Sequence, residues 1–146
     1  MSESSQAIPP DGRAATEDRD RLAEAEESVA ALAAQYPNWV GQEIARARDV
    51  LGDRAGNLSP DETGRLFGVV HDIKGQGGSF GYPLISEIAG MLCELLRAGP
   101  VAEPRRDICL AHLEALSLVA EHRIAGPGGA AGQALVTRLR DLSSSP

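Results

Sequence analysis

His71 and Lys74 stand one helical turn apart in the run His71-Asp72-Ile73-Lys74-Gly75-Gln76-Gly77-Gly78-Ser79-Phe80-Gly81. Lys74 is the only lysine of the chain, and the other thirteen of its fourteen basic residues are arginine. An imidazole nitrogen is a good nucleophile near neutral pH, and its phosphoramidate is a high-energy group that is readily passed on. Phosphoryl transfer asks mostly for positioning and charge neutralisation. An ammonium three residues away supplies such a charge as a compact point. Other chemistries fit less well. A metal site lacks a second histidine at 67 or 75, and His112 and His122 lie ten residues apart on another helix. Hydrolysis lacks a serine or cysteine nucleophile on the same face.

The helical period shows how these residues are presented. At about 100° per residue, Leu66, Val69, Ile73 and Phe80 lie roughly opposite His71, so they face a core and the histidine faces outward. Gly64, Gly68, Gly75 and Gly78 fall within about 60° of His71, with Lys74 about 60° to the other side. Each interior glycine costs a helix about 0.8–1 kcal/mol relative to alanine. A merely solvated face would use better helix formers, so this face is kept bare for close approach to the backbone. Gly77 turns toward the core side, where helix packing accounts for it. Phe67, one turn before His71, is an apolar neighbour of the site or a residue tucked at the bundle edge. Gln76 and Ser79 lie further round the helix, where they flank the site or are merely solvated; of the two, Gln76 is a minor candidate for the flank.

The elements that must position this face follow from apolar spacing and helix signals. Residues 1–15 show no periodicity and read as a disordered tail. A first helix from Thr16 carries Leu22, Val29, Leu32 and Tyr36 as a core stripe, with the acidic run Asp18 to Glu27 facing water. Pro37 separates it from a second helix with Trp39, Val40, Ile44, Ala47 and Leu51, and 52–58 is a loop. Ser59-Pro60-Asp61-Glu62 is a capping-box start for the histidine helix, which runs to about Phe80. Gly81 closes it and Pro83 opens the next, so 60–98 forms an antiparallel hairpin whose second arm buries Leu84, Ile88, Met91 and Leu95. A further helix carries Ile108, Leu113, Leu116 and Val119. A last one carries Leu135, Val136, Leu139 and Leu142, and 143–146 is a disordered end. No segment alternates with period two. The expectation is an all-α protein: an antiparallel four-helix bundle with an extra N-terminal helix, one domain over 16–142.

Composition sets further bounds. With 146 residues and 42% hydrophobic content, the chain can bury one modest core, and 3% aromatics suits packed aliphatic helices. A net charge of −7 argues against nucleic acid or an anionic membrane as the main partner. Cys93 and Cys109 lack metal or redox spacing and read as small buried apolar residues in a reducing compartment. No apolar run approaches the ~20 residues that span a bilayer, and the first residues offer no signal peptide. A cytoplasmic monomer is expected, because the apolar faces are used within the chain.

The run His71-x-x-Lys74-Gly75-x-Gly77-Gly78-x-Phe80-Gly81 resembles the signature of histidine-containing phosphotransfer (HPt) domains of multistep phosphorelays. Gln76 departs from the Ser or Ala common there, at a variable position. The resemblance covers the hairpin from about Asp61 to Leu96 and implies the HPt bundle around it. It implies that His71 accepts a phosphoryl group from a receiver-domain aspartate and passes it to another receiver, in response regulators and hybrid sensor kinases. Lys74 would steady the phosphohistidine, Gly75 and Gly78 would leave room for receiver loops, and Gly64, Phe67, Gly68 and Gln76 would border the same face. The chain would hold no cofactor or metal and would need no ATP site; the receiver would bring Mg²⁺ and most of the catalysis. No Gly-x-x-x-x-Gly-Lys-Ser/Thr loop is present. Two alternatives remain open at this point. One is a detached phosphoacceptor domain of a chemotaxis-type histidine kinase, which shares the motif; the other is a helical docking module that is never phosphorylated.

Overall fold

In a computed structural model, residues 13–52 and 57–144 are described. Five helices account for the architecture: α1 Arg13–Leu51, α2 Pro60–Gly77, α3 Pro83–Ala98, α4 Arg105–Glu121 and α5 Gly129–Ser144. No strand occurs among the described residues. The expected tail at 1–15 lies outside the described residues up to position 12, and 13–15 already belong to α1. At the other end α5 extends to Ser144, and 145–146 lie outside, as do 53–56 of the expected loop.

The chain divides into two compact units, one ending at Gln35 and one starting at Tyr36. The described residues of the first, 13–35, are the first part of α1. Here the sequence expectation needs correction: Leu22, Val29 and Leu32 are 64%, 57% and 55% exposed, so only Tyr36 of the expected stripe enters a core. The apolar face of this segment is therefore not covered within the chain, and the expectation of a monomer loses that support. The expected break at Pro37 also differs, because α1 continues through it. Proline withholds one N–H from the helix ladder, yet Tyr36, Val40, Ile44, Ala47 and Leu51 keep the helical period across it and are all buried.

From Tyr36 onward the helices share one core. The second part of α1 supplies the stripe just named. From α2 come Leu66, Val69, Val70 and Ile73, and from α3 Leu84, Ile85, Ile88 and Leu92. Packed with them are Leu113, Leu116 and Val119 of α4 and Val136 and Leu139 of α5. α3 packs against α2, α4 and α5. The Tyr36 hydroxyl donates to the Ile73 carbonyl at 3.4 Å, and its ring lies 5.4 Å from Phe80, 5.4 Å from Tyr82 and 5.7 Å from Trp39. Four of the five aromatic side chains thus meet in one cluster. Arg48 and Glu114 form an ion pair between α1 and α4. The two cysteines are free and buried as expected; burial pushes the Cys109 thiol up to about 11.

Among the described residues, His112 is the one buried side chain of the polar or charged class. Its Nδ1–H donates to the Ile108 carbonyl at 2.8 Å, which leaves the Nε2 lone pair buried without a partner. Burial lowers its pKa below the ordinary 6.5, against a smaller raising effect of that bond. The unfolded chain therefore binds this proton at a higher pH than the folded one, and stability falls as pH drops below about 6.5. Urea unfolding at stepped pH should show this loss, contributing up to about 1.4 kcal/mol per pH unit. His112→Leu should flatten that part of the slope.

Candidate functional site

α2 starts where its capping signals place it. The Glu62 N–H donates to Ser59 Oγ at 3.1 Å and the Ser59 N–H to Glu62 Oε1 at 2.8 Å, a complete capping box with Pro60 in the first turn. Leu66, Val69 and Ile73 are buried on one face, and His71, Gly64, Gly68 and Gly75 are exposed on the other. The helix ends at Gly77, one turn earlier than the periodicity predicts. There the Tyr82 N–H returns to the Gly77 carbonyl at 2.7 Å and the chain reverses through Gly81, at φ +88°.

What each glycine meets separates two roles. A Cβ at Gly64, Gly68 or Gly75 would have nothing within 4 Å, and at Gly78 only Ser86 Oγ at 4.0 Å. Nothing in the packing of the described residues asks for glycine there. A Cβ at Gly77 would stand 2.5 Å from Ser86 Oγ and 2.9 Å from the Tyr82 carbonyl oxygen, so this glycine is required by the approach of α3. Ser86 completes the join. Its hydroxyl donates to the Lys74 carbonyl at 2.6 Å and accepts from the Gly78 N–H at 2.9 Å. It thereby satisfies two backbone groups at the open end of α2.

Around His71 the side chains are ordered by stacking. The half-buried Phe67 ring stacks on the imidazole with centroids 5.7 Å apart and planes inclined by 24°, and the Arg97 guanidinium of α3 sits 5.0 Å over the same ring. The phenyl ring is thus tucked at the bundle edge, packed in part against the core, and contacts both His71 and Arg97. Lys74 is exposed, and its stem runs toward α3: a Cβ at Gly90 would lie 3.6 Å from Lys74 Cε. Lys74 and Arg97 both act on the buried Cys93 thiol, each lowering a pKa that burial raises more strongly. Two cations thus converge from two helices on the groove beside Cys93, and Arg97 reaches the histidine side only through the Phe67 ring. Arg105 and Arg140 border the same groove along α3, the first donating to the Leu95 carbonyl and the second paired with Glu87 at 3.6 Å. On the other flank, Arg46, Asp49, Arg65 and Asp72 surround a shallow hollow beside His71. Gln76 is exposed and makes no side-chain hydrogen bond to the histidine face.

The structure brings His71, Phe67, Gly68, Lys74 and Gly75 to one surface and sets Gly64 one turn beyond; Gly78 lies past the end of the helix, bonded toward Ser86. Reading along the sequence missed Arg97 and Ser86. Both sit on α3, and no spacing within α2 points to them; only the hairpin geometry makes them neighbours. Among the described residues, no cluster of three His, Cys, Asp or Glu side chains could hold a metal ion.

The two classes of glycine separate in stability. Gly68→Ala and Gly75→Ala should each raise the unfolding free energy by about 0.8–1 kcal/mol, the helix-propensity gain with no clash. Gly77→Ala should lower it, since backbone as well as Ser86 must shift. Denaturant midpoints of the three variants check both signs. No protein-family model matches the chain, and no curated protein or solved structure shows significant similarity to it.

Proposed function

We propose that this chain is a phosphocarrier of the histidine phosphotransfer type, with His71 as the phosphorylated residue. In this reading the helices from Tyr36 onward make an antiparallel bundle of that type, with the α2–α3 hairpin at its centre. The observation that carries the proposal is the exposed histidine on a helix face whose glycines serve no contact within the chain. A small substrate needs an enclosing pocket, whereas a bare convex face suits the flat active end of another protein. The resemblance of the His71 motif to histidine phosphotransfer domains names that partner as a receiver domain carrying an aspartyl phosphate.

The chemistry follows from the side chains present. An imidazole nitrogen of His71 attacks phosphorus in line; the N–P bond forms as the bond to the aspartyl oxygen breaks, and the carboxylate leaves. Passage to a second receiver reverses these steps. Mg²⁺, held by the receiver, supplies charge neutralisation on its own aspartate. Lys74 and Arg97 neutralise the phosphoryl oxygens from the α3 side, Lys74 as a point charge and Arg97 by leaving the Phe67 ring to offer its planar donors. Phe67 stacks on the imidazole and limits its rotation. Gly68 and Gly75 let the receiver's loops reach the helix backbone beside His71.

Incubation with a ³²P-labelled receiver from the same cell tests this. Wild type should gain acid-labile, base-stable label, and His71→Gln should gain none while still binding the receiver. Lys74→Ala and Arg97→Ala should each shorten the lifetime of the label on the order of tenfold, the worth of one charge-assisted hydrogen bond. Label arriving only from a chemotaxis-type kinase core with ATP would assign the chain to the phosphoacceptor alternative. Binding and pathway output that survive His71→Gln would assign it to a docking module.

A further inference from the structure

The first part of α1 presents an apolar line that the chain itself leaves open. Leu22, Val29 and Leu32 are 64%, 57% and 55% exposed, and Ala25 completes a spacing of three, four and three residues. That spacing is the a and d repeat of a heptad, the pattern of a two-stranded coiled coil rather than of a helix lying on a globular core. A helix of this length gains most of its stability from tertiary or quaternary packing of such a face. We propose that residues 22–32 form a parallel, in-register coiled coil between two copies of this chain.

The charges around the line select that occupant. With Leu22 and Val29 at a, Arg21 falls at g and Glu26 at the following e. In a parallel pair those two positions face each other across the seam, so Arg21 of each copy meets Glu26 of the other, twice per dimer. Within its own helix Arg21 contacts Asp18 only at 3.5 Å, with both side chains mostly exposed, so it is free to turn to the seam at little cost. Glu17, Asp20, Glu24 and Glu27 occupy c and f positions and point away from a partner. No other charged residue occupies an e or g position between 21 and 35. An antiparallel pair on the same four layers would set Glu26 against Glu26, which disfavours it. The seam has defined ends. Asp18 falls at the preceding d position, and Tyr36, the next a position, is buried in its own core at 3% exposure. Four layers span about 15 Å, so the association is weak and depends on concentration.

Sedimentation equilibrium of the full chain tests the inference without reference to phosphate chemistry. Wild type should show a reversible monomer–dimer equilibrium. Leu22→Glu with Leu32→Glu should be monomeric, with the unfolding midpoint of the remaining helices unchanged. Arg21→Glu and Glu26→Arg should each weaken the dimer roughly tenfold, by turning two attractions into repulsions, and their combination should restore it. A wild type that stays monomeric up to about 1 mM, the weak limit of specific association, would overturn the proposal. So would a dimer that survives the double leucine change. Failure of the charge exchange to restore association would overturn the parallel register.

Discussion

The approach of α3 to the end of α2 at Gly77 is the contact on which the site depends. The two helices come so near that no Cβ fits at position 77, and Ser86 fills the remaining space by bonding the Lys74 carbonyl and the Gly78 N–H. Because helices are rigid over a few turns, fixing them at one end fixes what faces what along their length. Three turns away from Gly77, that pairing sets Arg97 over Phe67, and one turn away it lays the Lys74 stem beside Gly90. The positions of Lys74 and Arg97 along the α2–α3 hairpin are thus set by a glycine and a serine that never touch His71.

The aromatic side chains divide the labour of this small protein. Tyr36, Trp39, Phe80 and Tyr82 gather where α1 meets the α2–α3 turn, and burial raises the Tyr36 hydroxyl well above its ordinary pKa, with Tyr82 adding to the effect. The fifth, Phe67, is at the surface against His71. Burying an aromatic ring contributes a large apolar area, so holding Phe67 only half-buried beside an exposed imidazole gives up part of the stability a fully buried ring would add. The open glycines do the same through helix propensity. Both departures from the most stable choice fall on one helix face, where local rules tend to yield to function.

Much of this was legible in the sequence, because α2 carries strong local signals. Ser59-Pro60-Asp61-Glu62 marked its start, and the period of Leu66, Val69 and Ile73 gave the outward direction of His71 without any knowledge of the fold. The misses have physical causes. Leu22, Val29 and Leu32 have the spacing of a buried stripe, and spacing alone does not say whether a stripe is covered by its own chain or by another. Pro37 normally ends a helix, yet the core contacts of Tyr36 and Val40 on either side outweigh one lost hydrogen bond. Arg97 and Ser86 act across a hairpin, and an interaction between residues 30 and 12 positions apart leaves no periodic trace. His112 looked like any helical histidine until the packing of α4 placed it wholly inside the core.

The central claim is that the face around His71 is kept bare for a phosphoryl-bearing partner. The most direct measurement is the rate of phosphoryl transfer from a phosphorylated receiver to a graded series at one open position, Gly75→Ala, Gly75→Val and Gly75→Leu. The thermal midpoint should be read on the same samples. The account predicts that transfer falls stepwise with side-chain size, and that Gly75→Ala already transfers more slowly although it is the more stable protein. Equal transfer rates across the series, or a wild type that never acquires acid-labile phosphate, would contradict it.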